Sequence, residues 1–187
     1  MKYPNKTLEI IFLIDISANM SGFKIGIVNS VIEELLSEIK EIANIRPQSH
    51  VNIRCISYSN GSKWNCLEHI PIQTFRWEYL KASGRCDFGS GLLRLKKFLE
   101  EGNFSIDTHY RPIIFLFNSA SPTDNIKYAM YKVCCVDWFK RALKIGIPVG
   151  SEADIDVLQQ LTGSKRNILT DISLEELKKW IQFFETR

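Results

Sequence analysis

Two short stretches of this chain are apolar on both faces, and they restrict its fold more than any other feature. Leu8-Glu9-Ile10-Ile11-Phe12-Leu13-Ile14 and Pro112 to Phe117 are of strand length and rich in branched or aromatic residues. Side chains alternate between the two faces of a strand, so such a run predicts a strand covered on both sides. That is the habit of a parallel sheet sandwiched between helices. The intervening segments supply the helices. From Lys24 to about Ala43, Ile25, Val28, Val31, Ile32, Leu35 and Ile39 recur at helical spacing, with Glu and Lys opposite. A second helix, from about Ser90 to Glu101, aligns Leu92, Leu95 and Leu99 and stops at Gly102. Ser151 is expected to open a third, carrying Ile155, Leu158 and Leu161 and ended by Gly163. Ser173-x-x-Glu176 reads as a capping box before Leu177, Trp180, Ile181 and Phe184.

Val51, Ile53 and Cys55 alternate with Asn52 and Arg54, which predicts a strand with one more polar face. Asn60-Gly61 is a strong hairpin signal, so the strand expected around Cys66 to Ile72 should run antiparallel, with Pro71 tolerated at a sheet edge. Residues 127–144 lack clean periodicity and read as an irregular helical region before a short strand near Ile145 to Val149. The sum is an α/β fold: a doubly wound, mostly parallel, Rossmann-like central sheet with one antiparallel edge strand and helices on both faces. Residues 1–187 are expected to form one domain.

Composition narrows the function. Hydrophobic residues make up 45% and charged residues 24%, which excludes a mainly disordered chain. A net charge of +3, with Lys96-Lys97 and Lys178-Lys179 dispersed on helix faces, argues against nucleic acid as a partner. No apolar run approaches the roughly 20 residues that span a bilayer. The amino terminus leads into the first strand without a small-residue cleavage site, so the expectation is a cytoplasmic protein with no membrane partner. Cys55, Cys66, Cys86, Cys134 and Cys135 are odd in number and read as reduced thiols; His50, His69 and His109 lie in separate segments with no zinc spacing.

In a doubly wound sheet the functional crevice lies beyond the carboxyl ends of the strands. The loops after Ile14 and Phe117, together with Ser83 to Gly89, are therefore the first suspects. The first reads Asp15-Ile16-Ser17-Ala18-Asn19-Met20-Ser21-Gly22, with three oxygen-bearing side chains at alternating positions where hard ligands can converge on a small cation. This loop resembles the start of the metal-ion-dependent adhesion site of von Willebrand factor A domains, Asp-x-Ser-x-Ser. Ala82-Ser83-Gly84-Arg85-Cys86-Asp87-Phe88-Gly89-Ser90-Gly91-Leu92 is similar to the family's second loop, usually Ser-Gly-Gly-Thr. Asn118-Ser119-Ala120-Ser121-Pro122-Thr123-Asp124 is similar to the third, commonly Thr-Asp-Gly-x-Pro-Thr-Asp. Ile145-Gly146-Ile147, Ala153-Asp154 and Leu161-Thr162-Gly163 resemble later segments of the cytoplasmic bacterial branch associated with tellurite-resistance clusters.

The resemblance implies metal-site positions at Asp15, Ser17, Asn19, Cys86 and Ser119, of which only Asp15 and Ser17 keep the family's residue. Ser119 stands where the family has Asp and Asn118 where it has Thr. Removing a unit charge about 4 Å from a divalent ion forgoes roughly 8 kcal/mol at an effective dielectric of ~20, before desolvation and screening. Cys86 in place of Thr offers a sulfur that suits Mg²⁺ poorly. The expectation is a degenerate site that holds no cofactor, or Mg²⁺ only weakly. Asp15 is then expected to take hydrogen bonds from the hydroxyls of Ser17 and Ser119 and the amide of Asn118, with Arg85 projecting over the crevice into the cation's space and Asp87 turned away.

The resemblance, with these departures, implies a non-enzymatic interaction module that docks a protein partner at the crevice, within a tellurite-resistance or related stress-response system. Arg85, Asp87, Asn118, Trp64 and Trp77 are the candidate partner-binding residues, with Phe75 and Tyr79 as further aromatic anchors should they prove exposed. Two alternatives stand beside it. One is a domain that retains weak divalent-metal-dependent ligand binding. The other is a hydrolase with Cys86 or Ser17 as nucleophile, for which the histidines lie on the wrong side of the sheet.

Overall fold

The doubly apolar runs become the interior strands of one sheet. In the computed structural model, which describes residues 6–45, 50–66 and 72–169 together with Glu175 and Lys178, they are β1 (Thr7–Asp15) and β4 (Ile113–Asn118). With β2 (His50–Ser59), β3 (Gly61–Cys66) and β5 (Leu143–Pro148) they form a five-stranded sheet in the order β3-β2-β1-β4-β5. β1 pairs in parallel with β2 and β4, and β4 with β5, while β3 runs antiparallel on the edge of β2.

Alternation along β1 divides the core. Ile10, Phe12 and Ile14 are fully buried on one face, against Val28, Ile32, Leu35 and Ile39 of α1 (Phe23–Ile45). Ile11 and Leu13 are fully buried on the other, against α2 (Phe88–Glu101), α3 (Ile126–Cys134), α4 (Asp137–Arg141) and α5 (Ile155–Thr162). The fold is thus doubly wound, as the sequence predicts. α2 comes unusually close to the sheet: a Cβ on Gly91 would sit 2.9 Å from Leu13 Cδ1 and 3.2 Å from Tyr58 Cδ1, so any larger residue would push the helix away. That approach sets the amino end of α2 beside the carboxyl end of β1.

Four local expectations differ from the structure. The edge strand begins at Gly61, ahead of the expected start near Cys66, because Gly61 at a φ of 78° lets pairing start directly after the turn, and the expected continuation toward Ile72 falls on residues 67–71, outside the described residues. Pro71 and His69 lie outside the described residues. The polar face of β2 is buried, because Glu9 on β1 accepts from Asn52 Nδ2 at 2.6 Å and from Arg54 Nε at 3.0 Å. α5 opens at Ile155, capped by Asp154, whose side chain accepts from Val157 N at 3.1 Å, and not at Ser151. The stretch of unclear period divides at the buried Val136 into α3 and α4, and β5 begins at Leu143. The capping box at Ser173 lies outside the described residues. Among them, no helix is long and apolar enough to cross a membrane.

Candidate functional site

Asp15 ends β1 and is fully buried at the carboxyl end of the sheet. A buried carboxylate is costly unless it is hydrogen-bonded, and here neutral donors surround it. Its Oδ1 accepts from the backbone N–H of Ser17 at 2.8 Å. Its Oδ2 accepts from the backbone N–H of Ser119 at 2.9 Å, from Ser119 Oγ at 2.8 Å and, more loosely, from Cys86 Sγ at 3.5 Å. Three loops that follow different strands therefore meet on one side chain.

Two expected donors act otherwise. Ser17 serves Asp15 through its backbone, and its hydroxyl, buried and at the start of the 3-10 turn Ala18–Met20, has no hydrogen-bond partner. The Asn118 amide donates to the carbonyl of Ala120 at 2.8 Å, and more distantly to Cys86 Sγ, instead of reaching Asp15. Its carbonyl oxygen accepts from Asp154 N at 2.8 Å and so ties the end of β4 to the start of α5. Asn19 turns its amide nitrogen to the carbonyl of Ser119, fastening the first loop to the third. Burial, reinforced by the Asp15 charge, pushes the Cys86 thiol far above its ordinary value, so it remains a protonated donor.

Arg85 does not enter the space a cation would take. Its side chain is 71% exposed, and its nearest acidic partner is Asp87, 3.8 Å from Nη2. Asp87 faces away from Asp15, accepting from Gly61 N at 2.8 Å and from Thr123 Oγ1 at 2.8 Å. Burial pushes its carboxyl up, but those two hydrogen bonds and the Arg85 charge outweigh that and hold it below the usual carboxylate range. Trp64 and Trp77 are not at this crevice. Trp64 packs edge-on against Phe98 over α2. Trp77 packs against Phe12 on the α1 face and donates from Nε1 to Asn29 Oδ1 at 3.1 Å. Phe75 is buried, and Tyr79, though exposed, donates its hydroxyl to Glu33 on α1.

Four residues have roles that residue pattern alone did not assign. Asp124 accepts from Gly89 N at 2.9 Å and Ser90 N at 2.7 Å, capping α2 from the third loop. Thr123 accepts from Cys86 N at 3.1 Å while it donates to Asp87. Tyr58, at the end of β2, stacks on Phe88 at 4.8 Å and donates to the carbonyl of Phe117 at 2.6 Å, closing the crevice floor. Phe23 opens α1 directly after the first loop and is 81% exposed. The run Pro122-Thr123-Asp124 was the available signal for the first two; an aromatic at the first turn of a helix was the signal for the last. Among the described residues, no group of three or more His, Cys, Asp or Glu side chains converges as a metal-binding cluster would.

No protein-family model matches the sequence, and no curated protein matches it. Solved structures do match its fold. Proximal thread matrix protein 1 from the mussel byssus, in a structure with a zinc-occupied metal-ion-dependent adhesion site motif, superposes with a TM-score of 0.65 at 19% identity, over 95% of this chain and 47% of that one. A von Willebrand factor type A protein from Catenulispora acidiphila gives a TM-score of 0.62 at 10% identity, over 91% and 40%. The VWA2 paralogue of ArnB from Sulfolobus acidocaldarius gives 0.57 at 16%, over 89% and 42%. The chain thus spans less than half the length of these proteins. At such identities the likeness is one of architecture, and the architecture of this chain is the von Willebrand A fold.

Proposed function

We propose that this chain is a non-enzymatic, protein-binding module of von Willebrand A type whose adhesion site is degenerate, its loops held by hydrogen bonds in place of a metal ion. The observation that carries the reading is the state of Asp15: both carboxylate oxygens already accept from protein donors. Ser119 and Cys86 present hydrogens to it where a cation would need lone pairs. One carboxylate, hydroxyls and a protonated thiol do not fit a hard divalent ion, which favours several oxygens and more negative charge. The rim supplies contact chemistry in its place: Phe23 as an exposed aromatic anchor and Arg85 as an exposed cation.

A catalytic role has less support. The Cys86 thiol is shifted away from the thiolate a nucleophile needs. His50 starts β2 and His109 bridges to Thr7, both at the opposite end of the sheet from Cys86 and Ser17. Action in the cytoplasm, within a tellurite-resistance or related stress-response system, is the finest part of the proposal, and the stress-response assignment rests on the likeness of the later segments alone. One observation favours the alternative of weak metal-dependent binding: the buried Ser17 hydroxyl is left without a partner.

Calorimetric titration with Mg²⁺ and Mn²⁺ separates the two readings. The proposal expects no saturable heat and partner recovery that survives EDTA but falls for Phe23→Ser and Arg85→Glu. Micromolar affinity for either ion, abolished by Asp15→Ala, would establish the alternative. Recovery of the same partners by both rim variants would place the docking surface elsewhere.

A further inference from the structure

α2 has two flanks with different surroundings. α3 packs along one of them. The other carries Ser90, Leu93, Arg94, Lys97, Phe98 and Glu101, spaced three and four apart and therefore on a single stripe of the helix. Opposite this stripe, Ser62 and Trp64 alternate on one face of β3. Between helix and strand runs an open groove of about 670 Å³. Cys66 and Ile72, on either side of the stretch that follows β3, both belong to the core on the α1 face, and Lys178 pairs with Glu38 on α1 at 2.6 Å. These anchors lie across the sheet from the groove.

The floor of the groove is apolar. Trp64, Leu93 and Phe98 are only partly buried there, with the Trp64 and Phe98 rings 5.3 Å apart. Apolar surface left exposed inside a polar rim marks a site of interaction. The rim is basic. Arg94 is fastened to β3, donating from Nε to Ser62 Oγ at 2.9 Å and from Nη2 to the Ser62 carbonyl at 2.6 Å. Both acceptors are neutral, and Arg94 has no carboxylate within ion-pair distance among the described residues. Lys97 meets only Glu101, at 3.9 Å with both side chains mostly exposed, a geometry in which the pairing is screened by water. The groove therefore joins an uncovered apolar stripe to positive charge that the protein does not balance.

We infer that this groove binds an acidic amphipathic α-helix of a partner protein, laid along α2. The stripe from Ser90 to Glu101 rises about 16 Å, three turns of helix. A helix axis about 8–10 Å from that of α2 is close-packed against it and rests on the Trp64 face of β3. Apolar residues at i, i+3 or i+4 and i+7 of the partner cover Trp64, Leu93 and Phe98, and carboxylates beside them meet Arg94 and Lys97. A small anion would satisfy the rim and leave the floor in water; a helix with one apolar and one acidic stripe satisfies both. This surface is separate from the Asp15 crevice and does not depend on the metal question there.

The test uses the full chain and a fluorophore-labelled helical peptide of about four turns, with Leu at every third or fourth position, Glu on both flanks of that stripe and Ala elsewhere. One control has Lys in place of Glu; the other has the same composition scrambled, so that the Leu residues share no face. The Glu peptide should bind by anisotropy and shift the α2 amides and the Trp64 indole N–H in NMR spectra, with neither control matching it. Lys97→Glu should weaken binding at least about fivefold, and Leu93→Ser about tenfold, with Lys97→Glu melting near the parent. Lys127→Glu, the same charge change at an exposed site on α3, should leave binding within about twofold. Equal binding of either control, equal weakening by Lys127→Glu and Lys97→Glu, or shifts confined to the residues around Asp15 would each overturn the inference. So would a parent dimer in sedimentation equilibrium that Leu93→Ser disperses, which would make a second copy of this chain the occupant. Asp15→Ala leaves peptide binding intact if the two surfaces are separate, so failure here is distinguishable from failure of the proposed crevice function.

Discussion

β1 carries a buried carboxylate near each end, and the two are neutralised in opposite ways. Near the amino end, Glu9 is 4% exposed and meets a full positive charge: Arg54 Nε lies 3.0 Å away, with Asn52 Nδ2 at 2.6 Å. The Arg54 guanidinium also lies 5.3 Å from the Phe98 ring centroid, so the pair is closed off by α2. At the carboxyl end, Asp15 is fully buried and, among the described residues, meets only N–H, O–H and S–H groups, with no cationic side chain bonded to it. One end is sealed by an internal ion pair. The other is balanced by neutral donors, which substitution can exchange for ligands to a cation.

The largest effect should come from breaking the ion pair. Arg54→Ala leaves Glu9 charged and buried, and removing one partner of such a pair costs about 3–5 kcal/mol. Urea unfolding followed by Trp fluorescence measures it; a loss below about 1 kcal/mol would mean that water reaches Glu9 and the two ends differ less than their burial implies. Asp15→Ala should cost less, about 1–3 kcal/mol, because it removes the charge together with its acceptors and strands only neutral donors. If it proves the more damaging of the two, the Asp15 network is the main fastener of the three loops and the comparison inverts.

How much of this was legible in the sequence divides along the same line. Periodicity reports what a segment does alone, so the doubly apolar strands, the α1 stripe and the stop at Gly163 were readable, and Gly163 indeed sits at a φ of 75° after α5. The crevice residues were also readable as a group, because the ends of β1 and β4 and the start of α2 converge in any sheet of this winding. Partnerships across strands were not. Asn52 and Arg54 have the pattern of a solvent-facing side because nothing in β2 announces that Glu9 lies beside Asn52 in the register of β1. Likewise the choice between the Ser17 hydroxyl and its backbone N–H, or between Asp87 and Asp124 as the side chain that caps α2, depends on loop conformations that residue types do not dictate.

Placing at two positions the residues that the adhesion-site resemblance implies sharpens the comparison at its carboxyl end. Ser119→Asp combined with Cys86→Thr replaces two of Asp15's donors with oxygen ligands and adds a second carboxylate. The double variant should acquire a Mg²⁺-dependent rise in melting temperature that the parent lacks, equivalent to about 1.4 kcal/mol when the ion stands at ten times its dissociation constant. Differential scanning fluorimetry with and without Mg²⁺ reads this directly. A double variant that stays folded yet indifferent to the ion would show that these two side chains are not what decides cation binding at the loops.

The smallest effect should come from Asp87, which borders the crevice but belongs to neither buried carboxylate. Its ionised form accepts from Gly61 N and Thr123 Oγ1, bracing the hairpin turn against the start of α2 and the third loop. Asp87→Asn should lower stability at neutral pH by about 1 kcal/mol, one hydrogen bond's net worth. The direction of its pH dependence is set by the lowered carboxyl pKa. A group held below its unfolded value contributes fully above that value, near pH 4, and loses the contribution as pH falls through the folded value. Parent and variant should therefore differ most at pH 7 and draw together as pH falls below about 4, in matched urea melts. A gap that stays constant across that range would assign the loss to altered shape at the turn, and the charge of Asp87 would then have no part in holding these loops together.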